Sequence, residues 1–226
     1  MTFRGAGREL QVEGTCASWY QPGQHLTGSV WDALAVPLAA LPADRRDGAA
    51  LILGLGGGSA ARLLRAAAPD LRLVGVEVDL DVIEVARRHM DLDALDVDVV
   101  AADAGAYLAA SEERFDLILE DCFAGGEDGL EKPRGFPHPG LRAARARLSP
   151  GGVLVTDTIH EARETELLLR ELFASVVRVE PADCTNQVLV GTDRPLDARA
   201  LRRAVNADPT LRGALGHLRF RTVVRG

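Results

Sequence analysis

Leu51-Ile52-Leu53 runs without a polar residue into Gly54-Leu55-Gly56-Gly57-Gly58-Ser59, and an alanine- and leucine-rich segment from Ala60 to Ala68 follows. These residues predict a buried strand, a tight turn and the start of a helix. Glycine lacks a Cβ, so such a turn lets a ligand lie against backbone N–H groups at the positive end of the helix. Leu73-Val74-Gly75-Val76 gives a second apolar strand, which ends in Glu77-Val78-Asp79. An acid at the tip of the second strand is placed to accept hydrogen bonds from both hydroxyls of a ribose. Turn and acid together predict a nucleoside-containing cofactor. Nicotinamide dinucleotides and S-adenosylmethionine both fit that description.

The remaining pattern alternates. Asp81-Val82-Ile83-Glu84 has the form of a helix start, with Asp81 as cap and Glu84 reaching back, and Arg87, Arg88 and His89 suit its negative C-terminal end. Strands are predicted at Val97 to Ala101 and Phe115 to Leu119, the first followed by Asp103 and Ala104, the second by Glu120-Asp121-Cys122-Phe123. A loop rich in glycine and proline spans Ala124 to Gly140, then a helix from Leu141 to Leu148, a strand from Val153 to Thr156 and a helix from Glu161 to Phe173. Five strand-to-helix alternations require a parallel sheet with right-handed crossovers. The last two strands, Val176 to Val179 and Gln187 to Gly191, are joined by seven residues, Glu180 to Asn186, too few for a helical crossover, so they are expected to pair antiparallel.

Before this core, Leu10-Gln11-Val12 reads as a short strand and Trp19 to His25 as a loop, in a segment placed to cover the cofactor as a lid. Apolar residues at helical spacing predict a helix from Ser29 to Leu41, kinked at Pro37. The chain is expected to divide into a lid and first helix at 1–48, a cofactor-binding domain at 49–193 and an extension at 194–226, with two short helices and a final strand from Leu218 to Val224. That extension carries eight arginines, Arg225 among them, against Asp197 and Asp208, while the whole chain has a net charge of −7. It reads as a solvated flank, a dimer contact or a dock for an acidic carrier protein. The overall negative charge argues against nucleic-acid binding. With no apolar run of membrane-spanning length and no signal-peptide core, a cytoplasmic protein is expected. Cys16, Cys122 and Cys184 are scattered, so neither a disulfide framework nor a metal site is expected. Lys132, the only lysine, is read as a mark of base composition without chemical meaning.

The glycine turn, Val76-Glu77-Val78-Asp79, Asp103, Phe115-Asp116-Leu117-Ile118-Leu119-Glu120-Asp121 and Leu148-Ser149-Pro150-Gly151-Gly152-Val153 together resemble the class I S-adenosylmethionine-dependent methyltransferases, within them the spermidine-synthase-like branch. The resemblance covers Ala50 to Asp193. It implies an α/β, Rossmann-like doubly wound sheet of parallel strands with a final antiparallel strand, and S-adenosylmethionine as cofactor. Carried over by residue, Gly54, Gly56 and Gly58 face the amino-acid part and ribose of the cofactor, and Glu77, with Val78 beside it, holds the ribose. Asp103 and Ala104 flank the adenine, and Asp121 faces the sulfonium and the acceptor. Homodimers are common in this family. The departures matter equally: Ser59 and Ala124 stand where aminopropyl-transferring relatives have aspartates, and Trp31-Asp32-Ala33 replaces their Tyr-His-Glu group. These losses weigh against polyamine synthesis.

The expected function is therefore methyl transfer from S-adenosylmethionine to a small molecule. The alternative is an enzyme that uses the longer sulfonium arm, by cyclisation or aminocarboxypropyl or aminopropyl transfer. A binding protein that kept the pocket and a nicotinamide oxidoreductase are the remaining readings. Candidates for a proton acceptor are Asp121, Asp157 and Asp32, with His138, His160 and Tyr20 behind them. Tyr20, His25, Trp31 and His138 are the expected substrate contacts.

Overall fold

In the computed structural model, which describes residues 1–126 and 129–224, a three-stranded antiparallel sheet comes first: β1 (Thr2–Arg4), β2 (Gly7–Val12) and β3 (Thr15–Tyr20). Helix α1 (Val30–Ala35) leads through tighter 3₁₀ turns to the alternating core: β4 (Ala49–Leu53), α2 (Ser59–Ala67), β5 (Arg72–Glu77), α3 (Leu80–His89), β6 (Val97–Ala101), α4 (Ala104–Ala110) and β7 (Phe115–Glu120). A small hairpin, β8 (Ala124–Gly126) and β9 (Gly129–Glu131), follows. The chain continues through α5 (Gly140–Ala146), β10 (Leu148–Thr156), α6 (Ala162–Leu172), β11 (Ser175–Pro181), β12 (Val188–Thr192), α7 (Ala198–Ala207) and β13 (Leu218–Thr222). Glu127 and Asp128 of the predicted 124–140 loop, and Arg225 of the basic extension, lie outside the described residues. No helix among them is long and apolar enough to cross a membrane.

The central sheet has the order β13-β11-β12-β10-β7-β4-β5-β6. Strands β10, β7, β4, β5 and β6 are parallel, and β12 enters antiparallel between β10 and β11. Both faces of the middle of this sheet are covered, which is why β4, β7 and β12 are largely continuous buried runs, while the edge strands β6 and β13 alternate with exposed residues. Ile52, Leu117, Leu119, Val153 and Val155 point to a layer shared with α1, α2 and α7. Their neighbours Leu51, Leu53, Ile118 and Leu154 point the other way, against α4, α5 and α6. Each such side chain taken fully out of water contributes about 1.5–3 kcal/mol. The chain runs outward from β4 through β5 to β6, then returns to place β7 and β10 on the other side. The carboxyl ends of β4, β5 and β7 therefore border the crevice where the strand order reverses, the ligand position of open α/β sheets.

Four local expectations are corrected. Trp19 and Tyr20 belong to β3 rather than to a loop, because the antiparallel pairing with Arg8 and Glu9 continues to the end of the strand. The helix predicted over Ser29–Leu41 is α-helical only to Ala35; Pro37, lacking an N–H, stands in a 3₁₀ segment from Val36 to Ala40. Asp79, not Asp81, caps α3, its Oδ1 accepting from the N–H groups of Asp81 at 2.8 Å and Val82 at 3.3 Å, and Glu84 pairs with Arg88 instead of reaching back. The strand expected from Val153 begins at Leu148, with a break in register before Val153 that accommodates Ser149-Pro150-Gly151-Gly152.

Candidate active site

At the carboxyl ends of the parallel strands lies a cavity of about 410 Å³. Gly54, Gly56, Glu77, Val78, Asp103, Ala104, Asp121 and Asp157 all line it, as does Trp31 from α1. The N-terminal sheet closes it from above through Thr15, Cys16 and Ala17 of β3, and the β8–β9 hairpin borders it through Ala124, Gly125 and Leu130.

Glu77 is held in place by backbone donors. Its Oε2 accepts from Gly56 N–H at 2.8 Å, while Oε1 accepts from Val78 N–H at 2.9 Å and Asp79 N–H at 3.1 Å. Strand β5 delivers the side chain to the glycine turn, and the turn fixes its rotamer. Asp103 does double duty, lining the cavity and capping α4 by accepting from Ala106 N–H at 2.8 Å. Asp121 is anchored through its own N–H, which donates to Leu53 O at 2.8 Å, so the end of β7 is tied to the end of β4 beside Gly54.

The N-terminal sheet is fastened to the same turn by two serines. Gly57 N–H donates to Ser18 Oγ at 2.6 Å. Ser59 Oγ accepts from Trp19 N–H and donates to Trp19 O, both at 2.8 Å. Ser59 is thus occupied with holding β3 over the cavity. Replacing it with alanine is expected to cost about 1–3 kcal/mol, because a polar backbone pair is left without its partner. Faster hydrogen exchange at the Trp19 amide, with a lower unfolding midpoint, is the measurement that checks this.

Around Asp121 and Asp157 the cavity meets a cluster of charge. Asp157, 1% exposed, receives Asn186 Nδ2 on Oδ2 at 2.6 Å and Thr158 N–H on Oδ1 at 2.8 Å. Burial pushes its carboxyl up to about 7, against the opposing pull of the Lys132 ammonium and of its hydrogen bonds to Asn186 and Thr158. Burial, then repulsion from Asp157, also holds Asp121 well above the usual carboxylate range. Beneath them Lys132 Nζ sits 2.8 and 2.9 Å from the two oxygens of Glu120, which is wholly buried. Burial works against the ammonium, yet Glu120 and Asp157 raise the Lys132 pKa above its ordinary value. Lys132, read from the sequence as chemically silent, is therefore part of the site's charge balance. The signal was present in the sequence: one lysine in a chain whose other 25 Lys and Arg positions are arginine. Glu120 and Asn186 were likewise given no role by the sequence pattern.

Other expected contacts lie elsewhere. Asp32 is 0% exposed and does not line the cavity; it accepts from Thr27 N–H and Oγ1 and from Gly28 N–H, with His217 Nε2 3.0 Å from its Oδ2. The Tyr20 ring is buried under the guanidinium of Arg62, 4.2 Å from its centroid. His25, His138 and His160 are exposed and outside the lining, and His138 faces Glu164 at 3.9 Å. Gly58 starts α2 and packs against Leu92 and Leu95 rather than the cavity. Cys16 and Cys122 do line it, but burial pushes both thiols up, Cys16 to about 11, so neither is a thiolate at neutral pH.

Residues 50–132 match a family model described as a methyltransferase domain. The chain is 35% identical over 133 residues to a probable polyamine aminopropyl transferase of Bifidobacterium longum, covering 58% of this chain and 28% of that protein. It is 33% identical over 109 residues to a polyamine aminopropyltransferase of Neisseria meningitidis, covering 46% and 40%. The matched stretch thus spans less than half the length of either relative. Among solved structures, a probable spermidine synthase from Corynebacterium glutamicum superposes with a TM-score of 0.77 at 19% identity, over 98% of this chain and 85% of that one. Human methyltransferase-like protein 13, in complex with SAH, superposes at 0.64 with 20% identity, over 87% and 94%. The eight-stranded sheet, the crevice at its reversal point and these likenesses agree, and the chain has the Rossmann-like fold of the class I methyltransferases.

Proposed function

We propose that the chain binds S-adenosylmethionine in this cavity and transfers its methyl group to a small acceptor that is neutral or positively charged. Glu77, pre-set by three N–H groups, would hold the ribose hydroxyls; Asp103 and Ala104 would flank the adenine; Gly54 and Gly56 would give close access to the amino-acid part. When bound, the cofactor supplies an electrophilic sulfonium carbon. The residues of this chain contribute alignment, exclusion of water and a place for the acceptor's proton. Glu13, Glu77, Asp79, Asp103, Asp121 and Asp157 line the cavity, and among the described residues no Lys, Arg or His side chain does. Such a lining favours a sulfonium and disfavours an anionic acceptor such as a carboxylate or phosphate.

One observation carries the choice of methyl transfer. Where aminopropyl-transferring relatives have aspartates, Ala124 brings an uncharged side chain to the cavity wall, and Ser59 is committed to Trp19. Neither leaves a carboxylate there, and at Ala124 the amine-deprotonating acid that the resemblance expects for aminopropyl transfer is missing. The second reading, use of that longer arm, is favoured by the polyamine aminopropyl transferases among the relatives and by Asp157, which supplies a buried carboxylate in the acceptor region. Incubation with S-adenosylmethionine and pooled small-molecule amines and alcohols, read by mass spectrometry, separates the two. S-adenosylhomocysteine is the expected nucleoside product. Methylthioadenosine would establish the longer-arm reading and overturn methyl transfer.

A further inference from the structure

We infer that Lys132 is a positioning residue for the transfer: its ammonium neutralises Glu120, so that Asp121 and Asp157 alone face the acceptor and Asp157 is left to take up the acceptor's proton. This rests on the reading of the cavity as a transfer site. The supporting geometry is a division of labour among three carboxylates. Glu120 is saturated: Lys132 Nζ donates to both its oxygens, Cys122 N–H donates to Oε1 at 2.9 Å, and Thr156 Oγ1 donates to Oε2. It does not line the cavity and has no oxygen left with which to act as a base. Asp157 lines the cavity and is held by one side-chain amide and one backbone N–H, which fix its direction without neutralising it.

Lys132 is itself held from the other side by the Phe123 ring, 4.1 Å from its centroid, and its side chain is only 4% exposed. A buried ion pair is by itself weak support for a fold, since an apolar pair of similar size serves as well. What an apolar pair would not supply is the field at Asp157. Asp157 adjoins the ion pair, its N–H donating to Glu120 O at 2.9 Å; Glu120 and Asp121 oppose its charge, while Lys132 and the hydrogen bonds of Asn186 and Thr158 favour it, and Asp157 in turn raises the Cys184 thiol. Lys132 is the cation among them. Without it, three neighbouring carboxylates would compete for protons, and the one facing the acceptor would hold its own too tightly to accept another. In the proposed step the acceptor's lone pair forms the new bond to carbon, the carbon–sulfur electrons remain on sulfur, and the acceptor's proton passes to an Asp157 oxygen.

Because the chain has a single lysine, the test is direct. Protein labelled with ¹⁵N-lysine should give one side-chain ammonium resonance that stays protonated beyond the ordinary lysine value of about 10.4. Its chemical shift should step near pH 7 as Asp157 ionises, and the step should vanish in Asp157→Asn. A resonance that titrates like free lysine, or a step that persists in Asp157→Asn, overturns the inference. In Lys132→Met the Asp157 side-chain carbon should titrate at least about tenfold tighter for its proton, one pH unit higher, while Lys132→Arg should stay near wild type. An unmoved midpoint in folded Lys132→Met also overturns it. S-adenosylmethionine binding is measured on the same samples: failure to bind would remove the transfer reading while leaving the lysine titration intact.

Discussion

Replacing Gly54 with alanine is expected to cost the fold about 2–5 kcal/mol and to abolish cofactor binding. Gly54 has φ +81°, in the left-handed region where an L side chain is strained. A Cβ there would lie 2.4 Å from Asp121 O and 2.7 Å from Asp121 C, and backbone atoms have no rotamer by which to retreat. Moving aside is costly because the neighbourhood is tied together: Gly54 N–H donates to Val76 O at 3.0 Å, and Asp121 N–H donates to Leu53 O at 2.8 Å. Three strand ends would have to shift, taking the Asp121 carboxylate and the glycine turn with them. Gly28→Ala is the matched control, since Gly28 has φ +78° and nothing within 4 Å of an added Cβ. It should lose only the conformational part, about 1–2 kcal/mol, and bind normally. Denaturant unfolding and calorimetric titration with S-adenosylmethionine check both variants. Equal losses in the two would mean that contact with Asp121 contributes nothing.

The parts of this site that the sequence made legible are those whose causes are local. The Gly54–Ser59 turn and the Glu77 strand tip, which meet at the cavity wall, are read from neighbouring residues, because a backbone that approaches so closely needs glycine wherever the rest of the chain goes. Strand alternation was legible for the same reason: a strand covered on both faces must be apolar throughout, and the helices between must have one apolar side. What was missed depends on partners far apart in the chain. Ser59 meets Trp19 across 40 residues, and Asp157 meets Asn186 across 29. Lys132 meets Glu120 only because the β8–β9 hairpin folds back over the end of β7, and no periodicity announces that return. Tyr20 read as a loop residue and a substrate contact, yet it is the platform for Arg62, because the pairing of β2 with β3 carries it beneath α2. Asp32 and His138 were plausible from residue type alone; placement decides, with Asp32 enclosed by the Thr27–Gly28 turn and His138 at the surface.

The pH dependence of stability offers the second large effect. The Asp157 carboxyl is raised in the folded protein to about 7, against 3.8 for the ordinary group, with burial as the first cause. Between those two values the folded state keeps a proton that the unfolded chain has released. Stability contributed by this group is therefore fully present below pH 3.8 and is lost as pH rises towards 7, and no further change follows once both states are ionised. The size is about 4 kcal/mol if the whole shift is realised. Because the stability of the whole protein sums over many groups, the quantity to measure is the difference between wild type and Asp157→Asn. An asparagine at this position cannot ionise, and so it escapes the penalty of a buried charge at neutral pH. The variant should gain on wild type by about 1.4 kcal/mol for each pH unit from 4 to 7 and then run parallel to it. Unfolding midpoints in denaturant at half-unit steps would show this as two curves that separate and then level. Curves that stay parallel throughout would mean that Asp157 is ionised in the folded protein across the whole range, and a site poised to take a proton near neutrality would not exist there.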